Sequence, residues 1–298
     1  MLQDILNALR SELLTRSSLE SLPDGVWKRM GALNTWGTNA IEGNTLTWRD
    51  VERLLLEDRS VAGRPVHDVL ETLQHQDAFR GLRPRAAAPI TLVTVLELHE
   101  AVFRTVKRDA GQWRRVNVRI VGARHLPPRM ERVVALMTKW ESAYRTRDTA
   151  GEAVLPLAAW MHVAFEGIHP FSDGNGRTGR LLLNLHFLKH SWPPVHILPP
   201  DRERYMKAIE SGEDRDLQPL DRLLRVAMAR SLLDLLDQVG TRTDELLPLQ
   251  TLAKAGPYTA KYLAFRASQE ELPALKVSGD WKTSRRALAL YKDHVGRP

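Results

Sequence analysis

The residues best suited to chemistry lie in one run, His169-Pro170-Phe171-Ser172-Asp173-Gly174-Asn175-Gly176-Arg177-Thr178-Gly179-Arg180. Pro170 biases His169 away from the helical region, so the spacing predicts an extended His169 on a loop, within reach of a substrate. Gly174, Asn175 and Gly176 are expected to open a helix. Glycines there let backbone N–H groups approach an anion closely, at the positive end of the helix dipole. Arg177 and Arg180 stand at i, i+3 on that helix and emerge from one face, and paired guanidinium forks suit polyphosphate oxygens. Asp173 is placed to hold a divalent cation, the usual task of one or two carboxylates at a Mg²⁺ site. A His, an Asp, an anion nest and two arginines point to phosphoryl or nucleotidyl transfer. A metal hydrolase lacks further ligands in this run, and Gly-x-x-x-x-Gly-Lys-Ser/Thr is absent, so the loop is no Walker A. Phe171 reads as an apolar anchor for the loop.

The elements that must position this run are mostly helices. Leu2, Ile5, Leu6, Leu9 and Leu13 form an apolar stripe at helical spacing. Val26, Met30 and Leu33 begin another helix, which the Gly43-Asn44 pair ends. Thr47 to Asp50 reads as a capping box with Val51, Leu54 and Leu55 inward. Further helices are expected near 90–106, 131–144, 157–166 and 175–189, and one ends near Val239. Val116 to Val121 is the strand candidate of the first 240 residues; with Gly122 after it and Pro127-Pro128 closing the segment, it predicts an extended flap or hairpin.

The run from His169 to Arg180 resembles the Fic family signature, His-Pro-Phe-x-(Asp/Glu)-Gly-Asn-Gly-Arg-x-x-Arg, at every specified position. The likeness extends from about Trp36 to Leu233 and takes in Ala110-Gly-Gln-Trp-Arg114 and Arg202-x-x-Tyr205. The resemblance implies a protein adenylyltransferase that moves AMP from ATP to a Ser, Thr or Tyr hydroxyl. His169 would then be the general base, and Asp173 would bind Mg²⁺. Backbone N–H groups around Gly174 and Gly176, with the Asn175 side chain, would form the anion hole. Arg177 and Arg180 would hold the outer phosphates, and Arg202 and Tyr205 would wall the adenine side. Val118, Ile120 and Gly122 would belong to a flap that aligns the target segment by strand addition. Gly176 argues against phosphorylation, since family members that phosphorylate tend to carry Lys there.

Thr38-Asn-Ala-Ile-Glu42-Gly43-Asn44 adds a second motif. Glu42 falls at a predicted helix C-terminus, where the dipole disfavours a carboxylate unless a cation waits nearby. The pattern resembles the inhibitory helix of the Fic family, in the class where it precedes the core. That implies Glu42 pairing with Arg180, with Thr38 supporting the helix near the nucleotide. The same Glu would also suit the orienting of water for removal of AMP from a target.

The bulk figures agree with a globular chain. Charged residues are 27% and apolar ones 43% of 298, with no cysteine, which excludes disulfides and thiolate metal sites. No apolar run reaches the roughly 18 residues of a membrane span, and no secretory signal is visible at Met1-Leu-Gln-Asp-Ile-Leu; a cytoplasmic location is expected. Of the net +7, the last 48 residues hold +5, from nine basic and four acidic side chains. A basic tail hints at a nucleic-acid partner. There the stretch with Leu272 to Lys276, Trp281 to Ser284 and Tyr291 resembles excisionase-like winged helix-turn-helix domains, with a hairpin around Ser278-Gly-Asp280 and Thr283 or Ser284 capping a last helix. The expected fold is mainly α, a Fic-type helical bundle with a short β-hairpin flap and a small C-terminal winged-helix module. Residues 1–90 would carry the inhibitory motif, 91–239 the catalytic core and 240–298 the winged helix. ATP and Mg²⁺ are the expected substrate and cofactor; a target protein, DNA and a second copy are the partners considered. The competing readings are a DNA-binding regulator whose core senses nucleotide or modifies itself, and transfer of another nucleotide or of phosphate.

Overall fold

In the computed structural model the described residues are 1–120, 124–254, 256–277 and 279–296. Val121, Gly122 and Ser278, all used in the sequence reading, lie outside them. The chain is built from helices: α1 (Leu2–Arg16), α2 (Asp24–Ile41), α3 (Trp48–Leu55), α4 (Val66–Arg80), α5 (Leu92–Phe103), α6 (Val133–Thr149), α7 (Val154–Ile168), α8 (Asn175–Lys189), α9 (Arg202–Glu213) and α10 (Gln218–Val239). They are followed by β1 (Leu247–Pro248), α11 (Leu249–Ala253), α12 (Ala260–Ser268), β2 (Leu275–Val277), β3 (Asp280–Thr283) and α13 (Arg285–Val295). Residues 27–223 form one compact unit; 1–26 with 224–298 form the other.

In the first unit α7 and α8 pack along each other, with α5 and α6 flanking them and α9 against α7. Val95, Leu98, Met137, Leu157, Phe165 and Leu181 are each at most 2% exposed in this core. A fully buried side chain of this size contributes about 1.5–3 kcal/mol. Local signals match the ends of several elements. Thr47 caps α3 and Asp50 returns the bond to its backbone, so the capping box is formed. Gly43, at φ 93°, takes the left-handed conformation that stops the chain after α2.

Two features depart from the sequence reading. Helix α4 turns a mostly polar face inward, with Ala78 and Phe79 as the apolar residues buried at its C-terminal end. Glu71, Thr72, Gln74, His75 and Gln76 are buried, whereas Val66, Leu70 and Leu73 are exposed. An apolar-periodicity reading cannot find a helix whose inner face is polar. Nor do the described residues between 116 and 129 form a strand. Val118 and Ile120 are half-buried with exposed Arg119 between them, so the alternation of an extended segment is kept, but it has no strand to pair with.

In the second unit β3 pairs antiparallel with both β1 and β2, giving the order β1-β3-β2. Thr259 caps α12, and Ser284 caps α13 by accepting from Ala287 N–H. Leu288 and Tyr291 turn inward as the spacing requires.

Candidate active site

The loop between α7 and α8 carries the signature run. His169 does not adopt the extended backbone that Pro170 suggested. It caps α7 in the left-handed region, at φ 50° and ψ 61°. Its N–H still donates to Phe165 C=O at 3.0 Å, closing the last turn while the chain reverses. Proline disfavours the right-handed region before it, and the left-handed alternative costs about 1–2 kcal/mol for a residue with a Cβ. Buried Arg114 holds the conformation: its Nε donates to His169 C=O at 2.8 Å and its backbone N–H to Pro170 C=O at 2.9 Å. The same guanidinium donates to Val116 C=O at 2.9 Å and to Pro128 C=O, so it ties both arms of the 116–128 segment to the loop. Phe171 is fully buried and stacks on His99, ring centroids 3.7 Å apart, as a loop anchor should. His99 accepts from Gly111 N–H at Nδ1 and therefore carries its proton on Nε2, which donates to Asp173 C=O at 3.1 Å.

Asp173 is half-exposed, and the Lys107 ammonium lies 2.6 Å from its Oδ2. Burial pushes its pKa up, but Lys107 outweighs that and the net direction is down. An ionised carboxylate already holding a cationic group fits the role of a cation ligand. Gly174 takes φ 82°, and a Cβ there would lie 2.2 Å from the Phe103 ring, so glycine is required twice over. Asn175 is placed differently from the anion-hole expectation. Its Nδ2 donates to Phe171 C=O at 3.0 Å and its Oδ1 accepts Phe171 N–H at 2.8 Å. Both ends of the amide clamp the loop.

That helix start brings two buried guanidinium groups to the positive end of a dipole, a placement that calls for anions. Each has a carboxylate. Arg180 donates through Nη2 to Glu42 Oε1 at 2.6 Å, through Nε to Thr38 Oγ1 at 2.6 Å and through Nη1 to the Tyr205 hydroxyl at 3.3 Å. Since that hydroxyl accepts from Arg180, its own proton goes to His162 Nε2, 2.7 Å away. Burial raises the Glu42 pKa, yet Arg180 more than offsets it and holds the carboxylate ionised. Arg177 pairs instead with Glu71 of α4, Nη1 to Oε1, at 2.5 Å. Arg202 donates from Nε to Ile41 C=O at 3.0 Å, which satisfies the end of α2.

A cleft of about 450 Å³ opens here, lined by Glu42, Ile120, His169, Gly176, Arg180, Arg202 and Tyr205 among others. Asp173, Gly174, Asn175, Arg177 and Val118 are not among its walls. Burial, aided by Arg114, lowers the His169 pKa below its ordinary value, so the ring is neutral near pH 7 and able to take a proton. Glu166 also lines the cleft; burial pushes its pKa up to about 8, and its Oε1 lies 2.4 Å from where a Cβ on Gly179 would sit. Glu71, Lys107, His99 and Glu166 were not read from the sequence. Glu166 precedes His169 by three residues, so helical spacing alone could have placed it at the loop; the other three reach the motif only through the fold.

Asp148, His186 and His190 form another cluster, with ligand-type atoms within 4.8 Å of one another. Lys189 already pairs with Asp148, and both His186 ring nitrogens have partners, the Tyr144 hydroxyl and Val154 C=O. The cluster reads as an internal hydrogen-bonded knot.

Comparison with known proteins agrees with this architecture. The chain is 28% identical over 266 residues to Protein adenylyltransferase Fic of Drosophila persimilis, covering 87% of this chain and 50% of the relative. With the protein of the same name from Aedes aegypti identity is 31% over 196 residues, 64% of this chain and 39% of the relative. The chain thus spans half or less of the curated relatives it matches. Fic-1 from C. elegans has a similar structure, with TM-score 0.67, 25% identity and coverage of 79% of this chain and 70% of that one. A Fic domain containing signaling protein from Bacteroides thetaiotaomicron shares the fold, with TM-score 0.70, 23% identity and coverage of 78% and 97%. The Fic/DOC family model matches residues 89–187, the stretch that runs from just before α5 into the last turn of the signature helix, and the chain therefore carries a Fic/DOC family domain.

Proposed function

We propose that this chain is a protein adenylyltransferase acting on a Ser, Thr or Tyr hydroxyl of a target protein, and that Glu42 restrains it. The observation that carries the reading is the Glu42–Arg180 pair at 2.6 Å, in the cleft that also holds a neutral His169. His169 takes the proton of the target hydroxyl, whose oxygen attacks the α-phosphorus of ATP. The bond from that phosphorus to the bridging oxygen breaks, and pyrophosphate leaves. Backbone N–H groups at Gly174 and Gly176 stabilise charge on the α-phosphate, and Arg177 and Arg180 receive the outer phosphates. Asp173 is the residue that would hold Mg²⁺, which would supply charge neutralisation to the phosphates. Tyr205 and Arg202 set the adenine-side wall, and Val118, Ile120 and Gly122 form the segment that aligns the target. While Glu42 occupies Arg180 the γ-phosphate has no seat there, and Thr38 steadies the same arginine. In this reading 1–90 carries the restraint, 91–239 the catalysis and 240–298 a winged-helix module, in a cytoplasmic protein. Incubating the Glu42→Gly form with ATP labelled at the α or the γ position tests the reaction. Label on protein from the α position supports AMP transfer, and label from γ alone would replace it with phosphorylation.

Gly176 belongs to the restraint as well as to the anion nest. A Cβ on it would lie 2.4 Å from Glu42 Oε1 and 2.9 Å from Arg180 Nη1. Overpacking of this kind costs about 1 kcal/mol when the neighbour is a flexible side-chain end, so Gly176→Ala is expected to raise self-labelling roughly fivefold. In a Glu42→Gly background the same change should give no rise, and should lower labelling because its Cβ still crowds Arg180 and the anion nest. An additive rise would detach Gly176 from the Glu42 contact.

Residues 240–298 favour a second, compatible reading in which duplex DNA is a partner. The support is the β2–β3 hairpin with Lys276 stacked 5.1 Å from the Trp281 ring, and exposed Lys261 on α12. Phosphate contacts make binding salt-dependent, so a mobility shift with duplex DNA should fade as salt rises. No shift at low salt would leave the module to docking with protein, including a second copy.

A further inference from the structure

We propose that Glu71 of α4 is a positioning residue for the nucleotide's outer phosphates: it holds the Arg177 guanidinium in place and thereby sets the preference for ATP and ADP over AMP. The inference rests on the nucleotide-site reading above and extends it to a residue outside the matched domain, since α4 ends before residue 89.

Arg177 and Glu71 side chains are 6% and 9% exposed, and Nη1 of the one lies 2.5 Å from Oε1 of the other. A guanidinium has five N–H donors, so a single contact anchors it without using it up. The Phe103 ring, 4.5 Å from Cζ, covers one side of the group. Arg177 Nε is buried and has no hydrogen-bond partner. Its positive charge also helps keep Asp173 and Glu42 ionised, which places it between the candidate cation ligand and the restraining carboxylate. Among the described residues Glu71 is the one carboxylate paired with it. A buried, anchored and partly unsatisfied guanidinium at the start of α8 is suited to phosphate oxygens.

The anchor itself is held from two directions. One turn before Glu71, Asp68 Oδ2 accepts Thr45 N–H at 2.9 Å and the Thr45 hydroxyl at 2.6 Å, which ties α4 to the chain just beyond Glu42. Thr72 Oγ1 accepts from Asn39 of α2 at 3.3 Å. Three residues after Glu71, Gln74 Oε1 accepts Thr105 N–H at 3.1 Å, just past α5. These bonds account for the polar residues on the inner face of α4: around Glu71 it frames an ion pair, and at its far end Phe79 packs on Trp27. His67 approaches the same Glu71 oxygen at 3.2 Å from the exposed side.

The test is equilibrium binding of ATP, ADP and AMP to the full chain, with Glu42→Gly as the reference so that Arg180 is free. Adding Glu71→Gln, which keeps the shape and removes the charge, is expected to weaken ATP and ADP about tenfold, a loss of ~1.4 kcal/mol. AMP binding should stay within about twofold. With Arg177→Ala already present, Glu71→Gln should cause no further loss, and Glu71→Asp should recover part of the ATP affinity. Thermal unfolding identifies any variant that fails to fold; Glu71→Asp then carries the comparison. Unchanged ATP affinity, equal loss of AMP, or tighter ATP binding (Glu71 then competing with phosphate) would each overturn the assignment. Absence of ATP binding in the reference form would instead overturn the nucleotide-site reading, and this inference with it.

Discussion

Glu42→Gly is expected to raise incorporation of AMP into the protein itself by about ten- to a hundredfold, the equivalent of removing one charged hydrogen bond of about 1.5–3 kcal/mol. Arg180 gives Glu42 a 2.6 Å contact, yet the carboxylate is 36% exposed, so solvent already screens part of the attraction. That argues for the lower end of the range. Thr38 and Tyr205 keep Arg180 where it is when the carboxylate is gone, so the gain should appear without loss of fold. Self-labelling with α-labelled ATP measures the gain, and a melting curve checks the fold. Equal labelling by wild type and variant would remove Glu42 as a restraint.

In the Glu42→Gly background, His169→Ala should lower the labelling rate by about a thousandfold, in line with the roughly 10²–10⁴ that a positioned general base supplies. The ring lines the cleft and its Nδ1 is buried without a partner, so little else depends on it. Alanine keeps the same left-handed backbone, and melting temperature should move little. The pH dependence carries a sign. Burial disfavours the imidazolium, so the active neutral form persists below the ordinary histidine range. Activity should therefore rise with pH through an inflection below about 6.5 and then level off. A rate profile against pH that bends upward only above 7 would point to another base.

The signature run and its helix were legible because chemistry and local structure share the same residues there. Gly174 and Gly176, read from the sequence as glycines that let an anion approach, pack closely against Phe103 and Glu42, and α8 runs over the expected 175–189. Caps at Thr47 and Ser284 were legible for a similar reason: a side-chain oxygen next to a helix start acts within three residues. What escaped depended on distant partners. Helix α4 turns its polar face inward to meet α2 and Arg177, so its pattern resembles a surface helix seen inside out. The His169 backbone is decided by Arg114, fifty-five positions upstream, against the local preference imposed by proline. The Asn175 amide, expected at an anion, is spent on the loop that carries it.

The close approach of Glu42 to Gly176 also couples these two positions. A carboxylate at 42 and a side chain at 176 contend for one volume. A larger side chain at 176 would have to push the Glu42 carboxylate aside, so in the reading proposed above the residue at 176 and the strength of the restraint vary together.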